Sequence, residues 1–188
     1  MARLPSPGGR GPAGHNRPVT TAAIAFDASA WTSFFVASAT AAATLSGLIF
    51  VAVSINLEHI VVHPSLPGRA LETIVVLVQL LLVALAGLLP GQSRTALGIE
   101  VLVVAAVAWA IPLELQRRDR SRAPSEMTRS RKVIRGLYTQ AATLPFLVAG
   151  VSLIVCRGGG LYWTAVGAAG AVVAAITGAW ILLVEIRR

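Results

Sequence analysis

Five apolar runs, each near or above the roughly 20 residues needed to cross a bilayer, occupy most of this 188-residue chain. They span about Ala28–Leu57, Ala70–Leu89, Thr95–Leu115, Arg135–Cys156 and Leu161–Ile186. Each is predicted to be a helix, because a lone strand in lipid leaves its backbone groups unpaired. The predicted fold is therefore all-α, an integral membrane bundle of about five transmembrane helices. The first run is long enough to tilt or protrude.

Composition supports the bilayer over a soluble core. Residues of the hydrophobic class make up 55% of the chain and charged residues only 13%, about half the usual soluble share. So thin a polar coat cannot cover that much apolar surface in water. The net charge of +8 would suggest nucleic acid in a soluble protein. Here the basic residues lie mostly between apolar runs, so lipid is the expected partner and nucleic acid is not.

Residues 1–27 form a Pro-, Gly- and Arg-rich tail, expected to be disordered because it has too little to bury. It lacks the apolar centre of a secretory signal peptide. Residues 28–188 form the helical domain, interrupted by a basic loop at 116–134. The loop Arg157-Gly158-Gly159-Gly160 is short enough for a tight hairpin only. Pro112 and Pro145 fall inside runs, as packing kinks or as hinges.

Five crossings put the termini on opposite sides. Five basic residues fall on the N-terminal side (Arg3, Arg10, Arg17, Arg94 and Arg157) and eleven on the other. Loop Arg and Lys favour the cytoplasm. The expectation is a multi-pass protein of the plasma (inner) membrane, N-terminus outside and C-terminus cytoplasmic. Trp31, Tyr162 and Trp163 then mark the outer interface, and Tyr138 and Trp180 the inner one.

Helices pack closely in lipid where small residues recur every four positions. The first run carries Ala39, Ala43 and Gly47; the fifth carries Gly170, Ala174 and Gly178, with a second ladder at Gly167, Ala171, Ala175 and Ala179. Such ladders serve contacts within one chain or a seam between copies. Hydroxyls at Thr40, Thr44, Ser46 and Ser54 are expected to bond to a neighbouring helix or to their own backbone.

Polar groups inside the runs are the candidate sites. Glu100 is the clearest: a carboxylate paired with Arg94 or Arg157, or a proton or cation site. Gln79 lies mid-run and wants a partner on a facing helix. Asn56 closes the first run. His59 and His63 have a metal-compatible spacing beside Glu58, but no third ligand accompanies them, and no metal or other cofactor is expected. The stretch His63–Glu72 reads as a stiff turn held by Pro64 and Pro67. In the third loop Arg117, Arg118, Arg120, Arg122, Arg129, Arg131 and Lys132 either contact anionic headgroups or set topology alone. Cys156 is the sole cysteine, so no intramolecular disulfide exists and a structural thiol is expected.

No nucleophile elbow, phosphate loop, dinucleotide fingerprint or CxxC pair is present, and catalysis is not expected. The stretch Trp31–Leu57, with HPSLPGRALE at His63–Glu72 and LLPGQS at Leu88–Ser93, resembles small polytopic membrane proteins common in actinobacteria. Most of that group have no assigned function, and some carry the label of modulators of a membrane AAA protease. The resemblance implies a polytopic bundle and no catalytic residues. The expected role is non-enzymatic, exerted through lipids, another membrane protein or a second copy of the chain. The alternative is a small ion or proton channel or transporter, working as an oligomer through Glu100, Gln79 and Asn56.

Overall fold

A computed structural model describes residues 24–55, 66–122 and 129–185. The described chain is helical. A short 3-10 turn, Ala28–Trp31, leads into α1 (Thr32–Ile55). There follow α2 (Leu66–Gly87), α3 (Arg94–Arg122), α4 (Arg129–Val155) and α5 (Tyr162–Glu185). Asn56, Glu58, His59 and His63 lie outside the described residues, as do residues 1–23 of the tail.

Local chemistry sets the helix ends. Asp27 caps the 3-10 turn, its Oδ1 accepting from the Ser29 N–H at 3.0 Å and the Ser29 hydroxyl at 2.7 Å. The expected tail therefore stops short of Asp27: Ile24–Asp27 are ordered, and Ala25 is buried. Ser93 caps α3 by accepting from the Ala96 N–H at 3.2 Å. Between α4 and α5 the backbone turns through left-handed φ at Cys156 (55°), Gly158 (86°), Gly159 (101°) and Gly160 (51°). Glycine supplies three of these four positions because it has no Cβ to clash there.

The largest difference from expectation is the basic loop. Residues 116–134 are mostly helix: α3 runs on to Arg122 and α4 starts at Arg129. Arg, Gln, Glu and Lys are good helix formers, so nothing in the charged stretch stops the helices leaving the apolar region. Arg117, Arg118, Arg120 and Arg122 therefore lie on α3, and Arg129, Arg131 and Lys132 on α4.

The central element is α2, which packs against α1, α3 and α5; α3 packs most extensively on α4, and so does α5. The chain thus forms an up-and-down bundle with two chemically distinct ends. Trp31 and Tyr162 meet at the aromatic end, and Glu72 and Gln116 meet at the basic end. Pro112 and Pro145 are buried, and both helices run on past them.

Small side chains fill the interior. Ala42, Ala105, Ala142, Ala149 and Ala171 are fully buried, with Phe35, Phe146 and Leu153 between them. Many large aliphatics and aromatics also face out, among them Phe50 at 70% exposure, Ile55 at 77% and Trp180 at 68%. Among the described residues, four helical stretches are long and apolar enough to cross a bilayer: Ala28–Ile55, Ala70–Gly87, Arg94–Arg117 and Tyr162–Trp180. A further apolar helical stretch, Thr139–Val155, belongs to α4.

Candidate functional site

The ladder on α5 packs within the chain. A Cβ on Gly170 would lie 2.8 Å from the Ala141 carbonyl oxygen, and one on Gly178 would lie 2.6 Å from Thr73 Oγ1. Ala174 packs partly buried against the core. Gly167, on the parallel ladder, admits the Phe146 ring at 2.6 Å from its Cβ position. A single turn of α5 thereby faces α4, and a turn nearer the basic end faces α2.

The ladder on α1 does not. Ala39 packs partly against the core, but Ala43 is exposed, and Gly47 has nothing within 4 Å of its Cβ position. The face of α1 that packs is Phe35, Ser38, Ala42 and Ile49. Among the described residues Ala43 and Gly47 therefore make no close helix contact. One close crossing was not foreseen: Gly98 of α3 against Gly150 of α4. A Cβ on Gly150 would lie 2.9 Å from the Leu102 backbone nitrogen, so backbones touch there. Those glycines lack a four-residue partner and give no ladder signal.

Gln79 is 1% exposed on α2. Neither its Oε1 nor its Nε2 has a hydrogen-bond partner among the described residues, so the expected bond to a facing helix is absent. Seven residues separate it from Glu72, two turns along the same face, and Glu72 is turned toward α3, accepting from Gln116 Nε2 at 3.4 Å. The inward residues of α3 are apolar: Leu97, Val101, Ala105 and Ala108. The Trp109 indole N–H of α3 is donated to Gln140 Oε1 of α4 at 2.9 Å. Ser46 Oγ and Thr143 Oγ1 are likewise buried and unpartnered. Thr40 and Thr44 bond to their own helix, at Val36 O (2.9 Å) and Thr40 O (2.8 Å).

Glu72 is a polar site that the sequence reading passed over. It is 7% exposed and sits at the basic end of the central helix. In sequence it reads as the end of a proline-rich turn, whereas α2 already begins at Leu66.

Glu100 is half-buried and lines an open apolar groove of about 460 Å³ between α2 and α3, with Leu82, Leu85, Ala86, Leu89, Ile99, Val103 and Val104. It pairs with neither Arg94 nor Arg157. Gly98 faces Leu153 and Ile154 of α4, and two residues on, about 200° around the helix, Glu100 points away from α4 and from the Arg157 turn that follows it. Gln79 does not line this groove, so the two described polar candidates are not brought together.

At the aromatic end the entering chain locks onto the α4–α5 hairpin. The Leu161 N–H donates to Ala25 O at 2.8 Å, and the Trp31 indole to Ile24 O at 3.0 Å. Trp31 stacks edge-on against Tyr162 at 4.9 Å and Phe34 at 5.4 Å. The Trp163 indole donates to Gly158 O at 2.6 Å, and Ser152 Oγ accepts from Gly160 N–H at 2.8 Å while donating to Arg157 O. Trp31, Tyr162 and Trp163 thus share one end, as their spacing along the chain implied. Cys156 is exposed there, its thiol 3.7 Å from Leu153 O.

Among the described residues no group of three or more metal-ligating side chains converges. No protein-family model, characterised protein or solved structure matches this chain.

Proposed function

We propose that this chain is a non-enzymatic, multi-pass protein of the plasma membrane that acts through contacts with lipids or other membrane proteins. The observation that carries the reading is the apolar exterior. Leu48, Phe50, Val103, Val107, Val173 and Trp180 are exposed, while the interior mixes alanine and the hydroxyl residues Ser38, Thr139, Thr143, Ser152 and Thr164 with larger groups such as Phe35, Leu77 and Phe146. In water that exterior would far exceed the apolar patches that monomers tolerate. In lipid it is the expected surface, and small interior residues are what let helices associate there.

The proposed orientation has five crossings, with the N-terminus outside and the C-terminus in the cytoplasm. Its support is the charge asymmetry, five basic residues against eleven, together with the aromatic cluster at one end and the Arg-rich helix extensions at the other. The uncharged part of α4, residues 136–155, would rise about 30 Å, the thickness of the hydrocarbon core. The helical extensions around Arg117–Lys132 offer anionic headgroups roughly 1 kcal/mol per basic residue near the surface.

Two measurements test this. Alkaline carbonate washing should leave the chain in the membrane pellet; release into the supernatant would refute insertion. A C-terminal fluorescent-protein fusion should fluoresce, and a C-terminal alkaline phosphatase fusion should be inactive. The opposite pair would invert the orientation.

A further inference from the structure

We infer that the groove between α2 and α3 is a binding site for an ethanolamine-type lipid, with the acyl chain in the trough and the primary ammonium on Glu100. The inference rests on the membrane reading above. Every groove residue except Glu100 is apolar: Leu82, Leu85, Ala86 and Leu89 from α2, Ile99, Val103 and Val104 from α3. The groove is open along its side, and its volume of about 460 Å³ accommodates a stretch of hydrocarbon chain.

The single charge decides the headgroup. Glu100 has no hydrogen-bond or ion-pair partner among the described residues. A carboxylate at the edge of an apolar phase requires a counter-charge. Among the described residues the helix geometry supplies none, because Gly98 takes the face toward α4 and Arg157. Arg94, six residues back, lies about 120° away around the helix. Six residues also correspond to about 9 Å of rise, while each headgroup layer is about 5–7 Å thick. With Arg94 at the surface, the carboxylate lies just beneath the headgroups, where an ammonium reaches it. A primary ammonium offers N–H donors to a carboxylate, and such charge-assisted bonds are the strong ones. A choline headgroup carries the charge without a donor, and a glycerol headgroup offers neutral hydroxyl donors without a positive charge to offset its phosphate.

The test is native mass spectrometry of the full purified chain, delipidated and offered equimolar phosphatidylethanolamine, phosphatidylcholine and phosphatidylglycerol of matched chains. The wild type should retain phosphatidylethanolamine roughly tenfold over phosphatidylcholine, the scale of one hydrogen bond to a charged group. Glu100→Gln should bring the ratio to near one, and Glu100→Asp should preserve it. Leu85→Trp fills the trough without touching the charge and should lower phosphatidylethanolamine retention. It carries the test if Glu100→Gln does not give the wild-type elution profile. Equal retention of the two lipids by the wild type would overturn the assignment. So would an unchanged preference in Glu100→Gln, or a second copy of the chain bound in place of lipid and lost in that variant. Entry of the wild type into lipid nanodiscs without any lipid preference sinks this assignment alone, whereas failure to enter them sinks the membrane reading.

Discussion

Replacing Gln79 by leucine should stabilise the bundle. The side chain is 1% exposed, and both polar atoms of its amide lack a partner among the described residues. Burying an amide without a compensating hydrogen bond costs about 1–3 kcal/mol on protein mutational scales. Leucine has nearly the same bulk and no polar atom, so Gln79→Leu removes that cost while keeping an apolar side chain among the buried residues of α2, such as Val76, Leu80 and Val83. The expected gain is about 1–3 kcal/mol, each of which raises the melting temperature of a chain this size by about 2–4 °C. Fluorescence-detected size-exclusion melting in mild detergent reads the shift. Gln79→Ala is the control, because it removes the same amide and leaves a cavity, and it should gain less or lose stability. A drop in melting temperature for Gln79→Leu of the size that accompanies a lost hydrogen bond would refute the reasoning. It would show that the amide is partnered, by a bound molecule or by another chain.

Three further outcomes follow from the packing. Gly150→Leu should destabilise by several kcal/mol or prevent folding, since even its Cβ would lie 2.9 Å from the backbone nitrogen of Leu102; the same melting assay checks it. Gly47→Leu should leave the melting temperature of the single chain within about 1 °C, the neutrality expected of an exposed site, because nothing lies within 4 Å of that position. A loss of cross-linked dimer in Gly47→Leu would identify the exposed ladder as a seam between copies. Trp31→Ala should cost about 3–5 kcal/mol, the scale of a large aromatic truncation, because it removes the ring contacts to Tyr162 and Phe34 and the bond to Ile24 O.

The helices were legible in the sequence because each is announced by a long apolar run. The faces they present were not. In α1 and in residues 95–113 of α3 almost every residue is apolar or small, so no periodicity separates the packed side from the exposed side. Ala43 and Gly47 therefore looked like an interface while Phe35, Ser38, Ala42 and Ile49 formed one. In α5 the glycine positions were informative because a missing Cβ is itself the contact, at Gly170 and Gly178. The basic stretch misled for a different reason. Charge marks the edge of an apolar run but does not end a helix, and Arg117–Arg122 continue α3. Glu100 was picked out by its depth, but its direction came only from the Gly98 contact two residues earlier. Glu72 was missed because its burial depends on α3 reaching down to Gln116.

The central claim is a bundle of five crossings with the aromatic end outside. The native thiol tests it directly, since Cys156 is the sole cysteine and is exposed at that end. In intact cells a membrane-impermeant maleimide should label the wild type at Cys156. In the double variant Cys156→Ser, Ser125→Cys, labelling should appear only after permeabilisation, because α4 lies between the two positions. Labelling of both positions from the same side would mean that α4 does not cross. Labelling of Ser125→Cys alone in intact cells would mean that the whole orientation is reversed.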